Sequence, residues 1–257
     1  MSTTGVLFKK DLMEQVRSRK ALILAVVFLF LALVSPISAK LMPQLLKNFV
    51  VQGGVTISIP EATYNDAVAQ FVKNAGQLVV FLLIFVVAGA VADEKIRKTL
   101  EMVLVKPVSR SAFILSKFLA YFSTITLSYA VSSLLFYLYT VSIFESFSGL
   151  NFSIVAVLTL IYLLLIISVT IFASTLSRSP AIAGVIGLFS SFIFGSILGL
   201  FSSTAGYAPG YILAHYSDVM RQGWSVEFAP PTMVSIALII VFVSLSIIAF
   251  AKQEIER

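Results

Sequence analysis

The chain has 257 residues, of which 59% are hydrophobic and only 12% are charged. A soluble domain carries about 25% charged residues, so this composition excludes an ordinary water-soluble fold and predicts an integral membrane protein. The net charge of +6 does not indicate a nucleic-acid partner, because the basic residues gather at the ends of apolar runs. The chain has no cysteine, which excludes disulfides and thiolate metal sites.

Residues 5–20 have the pattern of an amphipathic helix. Val6 and Met13 fall on its apolar half, and Asp11 and Gln15 fall on the opposite half. An apolar face edged by basic residues is typical of a helix that lies in the membrane interface. We therefore predict an interfacial elbow helix that leads into the first span, and a soluble basic tail is the alternative.

Six apolar runs follow, and each is predicted to be a membrane-spanning helix, which takes about 20 residues. They cover residues 21–39, 75–92, 113–140, 152–176, 181–201 and 232–251. The two longest breaks, residues 40–74 and 202–231, are predicted external loops, and the first contains a helical pattern over residues 61–74. Ser109 is a predicted N-cap for the third span, and Pro180 is predicted to be the first helical residue of the fifth.

Lysine and arginine are distributed unequally between the two sides that six spans create. If the N-terminus is cytosolic, the cytosolic parts hold five of them in the N-terminal arm, six in residues 93–117, one at Arg178 and two in the tail, which makes 14. The external parts hold the other 4 of the 18, which are Lys40, Lys47, Lys73 and Arg221. Because basic residues favour the cytosolic side, both termini and residues 93–110 are predicted to be cytosolic.

The predicted spans carry no ionisable residue near their centres. A charge there costs about 2.5–3.5 kcal/mol and is kept where function needs it, so proton- or ion-coupled transport is disfavoured. Lys117 lies in the first turns of the third span, and we expect its side chain to snorkel to the cytosolic interface. The sequence has no catalytic constellation, and His215 is interpreted as an ordinary loop residue in preference to a metal ligand.

The chain also lacks a GxxxxGK[ST] nucleotide-binding loop, so energy for active transport would have to come from a partner chain. A helix over residues 95–106 would place Ile96, Leu100 and Val103 on one face. Such a short helix between two rigid spans suits a docking surface for a cytosolic partner. A plain amphipathic connection lying on the membrane is the alternative.

The segment from Glu94 to Arg110, EKIRKTLEMVLVKPVSR, resembles the signature of type-2 ATP-binding-cassette exporter permeases. The matching features are the acidic residue that ends span 2 and, after it, Thr99-Leu100-Glu101, Pro107, Ser109-Arg110 and Lys117. Lys98 and Ser116 stand where that family usually has glycine, which suggests a more rigid helix. An elbow helix, six spans and helical external segments extend the resemblance along the chain.

The resemblance implies that the chain is a permease subunit and not itself an enzyme. Two permease chains, expected to be a homodimer, would pair in a prokaryotic plasma membrane above two ATPase subunits. ATP and Mg would bind to the ATPases, and no cofactor or metal is expected in this chain. Residues 98–106 would form the coupling helix. The residues implied in coupling are Glu94, Lys98, Thr99, Leu100, Glu101, Val103, Leu104, Pro107 and Arg110.

Three further expectations concern the dimer, the subgroup and the substrate. Gly195 and Gly199 in span 5 are candidates for the dimer contact, because small residues let helices approach closely; packing within the chain is the alternative. The large first external loop is similar to that of the subgroup containing the permease for nitrous oxide reductase copper-site maturation. The apolar spans, dotted with hydroxyls, fit an amphipathic drug, an antimicrobial peptide or a lipid-like molecule equally.

Two other classes of protein stand as alternatives. A secondary transporter predicts a charge at the membrane midplane or an inverted repeat. A membrane-embedded assembly factor predicts polar side chains clustered at one depth, for which the hydroxyls of span 3 are the nearest candidates. These hydroxyls are interpreted as bonding back to their own helix or lining a polar path.

Overall fold

A computed structural model describes residues 3–52, 61–97, 109–196, 200–201 and 204–253. These residues form helices joined by short turns, and none of them lies in a strand. The α-helices are α1 (Thr3–Arg17), α2 (Lys20–Gln52), α3 (Tyr64–Asn74), α4 (Val80–Ile96), α5 (Arg110–Ile143), α6 (Gly149–Leu176), α7 (Pro180–Gly195), α8 (Tyr211–Ala214), α9 (Tyr216–Gln222) and α10 (Ala229–Lys252). A π-helical turn, Ala75–Val79, joins α3 to α4, and 3-10 turns cover Ala205–Tyr207 and Val226–Phe228.

Five helical stretches of the described chain are long and apolar enough to cross a membrane. They are Lys20–Leu45, Tyr64–Ile96, Arg110–Ile143, Gly149–Leu176 and Val226–Lys252. A sixth apolar helix, α7, has 16 residues and is therefore about 24 Å long at about 1.5 Å per residue. That length is less than the roughly 30 Å hydrocarbon core. Residues 197–199 lie outside the described part, so six spans stay a prediction.

Two helices are longer than the apolar runs that predicted them. α2 continues through Pro36 and Pro43 to Gln52, beyond the predicted end of the first span. Proline is tolerated in membrane helices because neighbouring groups satisfy the backbone carbonyl it frees. The helix predicted within residues 61–74 is continuous with the second span, because α3, the π-helical turn and α4 run without a break.

Local capping signals in the sequence are confirmed. Ser109 is the N-cap of α5, and its side chain accepts a hydrogen bond of 3.2 Å from the backbone N–H of Ala112. Pro180 begins α7, where its missing N–H costs nothing because the first turn has no intrahelical acceptor. Both helices therefore start where short-range chemistry places them.

α6 lies at the centre of the bundle and contacts α4, α5, α7 and α10. Every residue from Tyr162 to Ile171 is buried, as expected for a helix that is apolar on all sides. The hydroxyls of Ser168 and Thr170 donate to carbonyls of their own helix at 2.7 Å. These two hydroxyls are thus satisfied within their own helix, whereas the Ser174 hydroxyl donates to the carbonyl of Ala88 on α4 at 2.6 Å.

The described parts of the segments predicted to be cytosolic lie together at one end of the bundle. α1, the C-terminal ends of α4, α6 and α10 and the N-terminal end of α5 meet there through the contacts described below. The segments predicted to be external meet at the opposite end, where Tyr64 stacks on Phe147 with ring centroids 5.0 Å apart. Asn151 also donates to the carbonyl of Met220 at 3.0 Å there.

Candidate functional site

A buried ion-pair cluster lies where α1, α4 and α5 meet. Its centre is Lys117, in the second turn of α5, whose side chain is only 4% exposed. The Nζ atom of Lys117 lies 2.9 Å from Oδ1 of Asp11 on α1 and 2.5 Å from Oε1 of Glu94 on α4. One ammonium group therefore connects three helices that are far apart in the sequence.

Polar groups around this centre complete the cluster. Lys10 Nζ lies 2.9 Å from Glu94 Oε1, and Glu14 Oε2 lies 3.6 Å from Lys117 Nζ. Ser116 Oγ lies 2.7 Å from the second carboxylate oxygen of Asp11. Lys10 and Glu14 are partly exposed, whereas Asp11 and Glu94 are buried. Buried charges of this kind are tolerated only with partners and hydrogen bonds in place.

The carboxylates alone would be a reasonable donor set for a hard cation. Oxygens of Asp11, Glu14 and Glu94 lie within 4.8 Å of one another, and such oxygens are typical ligands of Ca²⁺ and Mg²⁺. However, the Lys117 ammonium already lies within 3.6 Å of all three side chains. The geometry is therefore that of an ion-pair cluster in which lysine supplies the positive charge.

The prediction that Lys117 snorkels to the interface is wrong. Its ammonium group points into the protein because α1 folds over the base of α5 and brings Asp11 to it. Asp11 and Gln15 of α1 are buried against the bundle, while Val16 is exposed. The spacing of Asp11 and Gln15 on one face was a signal for this contact, but the sequence does not say which residue they face.

A second set of contacts fixes the start of α5 and the end of α4. The Arg110 guanidinium donates to the carbonyls of Ala251 at 2.7 Å and Gln253 at 2.9 Å, and so caps the C-terminal end of α10. Lys95 Nζ donates to the carbonyl of Thr175 at the end of α6. The Gln253 side-chain amide donates to the same Thr175 carbonyl at 2.8 Å.

These two sets of contacts flank the segment that the sequence predicts to couple to an ATPase. Of the implied coupling residues, Glu94 lies in the ion-pair cluster and Arg110 caps α10. The remaining ones lie outside the described residues, and their role stays a prediction: Lys98, Thr99, Leu100, Glu101, Val103, Leu104 and Pro107. Ser116, which replaces an expected glycine, contributes its hydroxyl to the cluster.

Gly195 packs against its own chain at the opposite end of the bundle. The N–H of Gly210 donates to the carbonyl of Phe194 at 2.9 Å, and a Cβ added at Gly210 would overlap the backbone of Gly195. A Cβ at Gly195 would lie 2.7 Å from the Tyr162 hydroxyl. This geometry supports the alternative of packing within the chain for Gly195. Gly199 lies outside the described residues, and a dimer contact here stays a prediction.

We expect Gly210→Ala to lower the free energy of unfolding by about 1–3 kcal/mol, the usual cost of overpacking. The added methyl group meets backbone atoms of Gly195, which cannot rotate away as a side chain would. Thermal unfolding in detergent, followed by the fluorescence of the single tryptophan, measures the loss. Gly206→Ala is the matched control, because its Cβ would meet nothing within 4 Å. Equal unfolding midpoints for the two variants would contradict a tight contact between Gly195 and Gly210.

An open cavity of about 310 Å³ lies beside this contact, at the end of the bundle that the sequence predicts to be external. The π-helical turn contributes Gly76 and Gln77 to its wall, and Lys73, Tyr162 and Ser191 contribute further polar groups. π-helical turns often occur at functional sites. His215 is not among the lining residues; its ring stacks on Tyr211 with centroids 3.8 Å apart, which suits an ordinary packed side chain.

Residues 6–255 of the chain match the family described as ABC-2 family transporter protein. The chain belongs to the ABC-2 transporter family. This membership makes it a multi-pass membrane subunit of a transporter and not an enzyme. The ABC-2 chain is also 24% identical over 262 residues to a protein of Bacillus subtilis (strain 168), named "Uncharacterized transmembrane protein YxlG". That match covers 99% of both chains.

Proposed function

We propose that this ABC-2 subunit forms the membrane path of an ATP-driven exporter in the cell membrane. Two such chains pair, and two separate ATPase subunits bind ATP and Mg beneath them. The family membership and the missing nucleotide-binding loop support separate chains for the membrane path and for ATP hydrolysis. Residues 98–106 receive the movement of the ATPases as a coupling helix.

The observation that carries this proposal is that the described residues on both sides of the coupling segment are held by the bundle. Glu94 precedes the segment and binds Lys117, which follows it, through a buried contact of 2.5 Å. Arg110 connects the same region to the end of α10. Glu94 and Arg110 therefore connect the two flanks of the segment to α1, α4, α5 and α10, and buried ion pairs are short and directional. A push from an ATPase is therefore passed to the spans.

The substrate proposed for this path is amphipathic. The outer cavity combines apolar walls at Val80, Phe81 and Phe192 with the polar groups of Lys73 and Gln77. Such a surface suits the outward release of a drug, an antimicrobial peptide or a lipid-like molecule that has both an apolar body and a polar end. The similarity to the nitrous oxide reductase maturation subgroup stays a prediction about layout.

The test is purification of the tagged full-length chain from membranes of cells that produce it naturally. We expect an ATPase with a GxxxxGK[ST] loop to co-purify in a one-to-one ratio and to hydrolyse ATP when the complex is reconstituted in lipid. Mass spectrometry of the same sample identifies the bound substrate. The proposal would be contradicted if the chain purifies with no ATPase and if export of its substrate persists without one.

A further inference from the structure

An open groove of about 660 Å³ lies between α1, the start of α2 and α5, on the side of α1 away from the ion-pair cluster. Its floor is apolar and includes the small residues Ala21 and Ala25 on α2 and Leu127 on α5. Leu127 is 68% exposed. These residues belong to helices that are long and apolar enough to cross a membrane, which suits a groove that opens toward lipid.

Two of the three hydroxyls that line the groove, those of Ser123 and Thr124, are hydrogen-bonded within the protein. Ser123 Oγ donates to the carbonyl of Leu119 at 2.8 Å. Thr124 Oγ1 lies 3.0 Å from the carbonyl of Ala120 and 2.7 Å from the side-chain oxygen of Gln15. An apolar chain can lie against these two hydroxyls without desolvating an unpartnered polar group.

The edge of the groove is basic. Lys9 and Arg17 both line it, and they lie eight residues apart on α1 with Met13 between them. Among the described residues, no carboxylate lies within ion-pair distance of either, whereas the neighbouring Lys10 is turned to Glu94 in the cluster. Their apolar stems can lie along the groove while the charged ends reach the interface.

We propose that this groove binds an anionic glycerophospholipid. An acyl chain lies against Ala21, Ala25 and Leu127, and the phosphate lies between Lys9 and Arg17. Charge complementarity selects an anionic headgroup, because each basic residue near the membrane surface favours such lipids. α1 is then held from two sides. The lipid contacts the face that lines the groove, and Lys117 contacts Asp11 on the face that packs against the bundle.

Native mass spectrometry of the purified full-length chain, titrated with phosphatidylglycerol or with phosphatidylcholine of the same acyl chains, tests the site. We expect the wild-type chain to bind phosphatidylglycerol about tenfold more tightly than phosphatidylcholine. The double variant K9Q/R17Q should lose this preference. The matched control R19Q/K20Q removes two basic residues from the same region that do not line the groove, and it should keep the preference.

Equal losses in K9Q/R17Q and R19Q/K20Q would overturn the proposal, because they would indicate attraction to a basic surface and not to the groove. Ala25→Trp fills the floor and leaves both basic residues in place, so it should weaken binding of both lipids. Unchanged binding in Ala25→Trp would also overturn the proposal. Thermal unfolding midpoints confirm that each variant is folded. The measurement requires no ATPase, so its outcome is independent of the proposed export function.

Discussion

Replacing Lys117 with methionine is expected to lower the free energy of unfolding by about 3–5 kcal/mol, the cost of removing one partner from a buried ion pair. The substitution removes the ammonium group that contacts both buried carboxylates and leaves Lys10, which is 40% exposed, as the remaining cation of the cluster among the described residues. Methionine fills much of the same volume, so a loss of this size comes from the ion pairs that the buried carboxylates lose and not from a cavity. Thermal and chemical unfolding of the purified chain in detergent measure it.

Two further variants separate the charge effect from a general sensitivity to mutation. The triple variant Lys117→Met with Asp11→Asn and Glu94→Gln removes the stranded charges, and we expect it to recover most of the stability because a buried pair can often be replaced by neutral groups. Lys73→Met removes an exposed lysine and should change stability by less than about 0.5 kcal/mol. If Lys117→Met unfolds at the wild-type midpoint, the cluster does not hold the three helices together.

Replacing Leu100 with aspartate is expected to abolish ATPase-driven transport while leaving the fold intact. Leu100 lies on the predicted apolar face of the coupling helix, where a buried docking residue typically contributes 2 kcal/mol or more to binding. A loss of that size weakens ATPase binding roughly 30-fold. Glu101→Lys should act in the same direction through charge reversal. The dissociation constant of the ATPase for the reconstituted chain, together with ATP-driven transport, measures the effect.

The matched control is Val105→Asp, which introduces the same charge on the opposite side of the predicted helix at about 100° per residue. It should bind the ATPase as the wild type does. The unfolding midpoint of Leu100→Asp should also equal that of the wild type, in contrast to Lys117→Met. Full ATPase affinity and full transport in both Leu100→Asp and Glu101→Lys would rule out the coupling role of this segment.

Helix starts and the membrane character of the chain could be predicted because they depend on neighbours in the sequence. Ser109 caps α5 and Pro180 begins α7 through contacts within four residues. The long apolar runs likewise exclude a water-soluble fold by composition alone. The elongation of α2 past Pro43 was harder to anticipate, since a proline that ends a helix in water can be tolerated in a membrane helix.

The partners of the charged residues could not be predicted in the same way. Lys117 has the pattern of a snorkelling lysine, because lysine near the end of an apolar run usually reaches the interface. Its actual environment depends on Asp11 and Glu94, which are 106 and 23 positions away in the sequence. Gly195 is a similar case, since its small size serves a contact with Gly210 in the same chain.

The sequence by itself determined that this protein is helical, lies in a membrane, contains no nucleotide-binding loop and has its basic residues grouped on one predicted side. These properties follow from local composition and spacing. Only the tertiary structure decided that α1 turns Asp11 and Gln15 inward and that Lys117 connects α1, α4 and α5. The physical reason is that burying a charge is favourable only where its partners meet it in space, and that meeting depends on how distant helices pack.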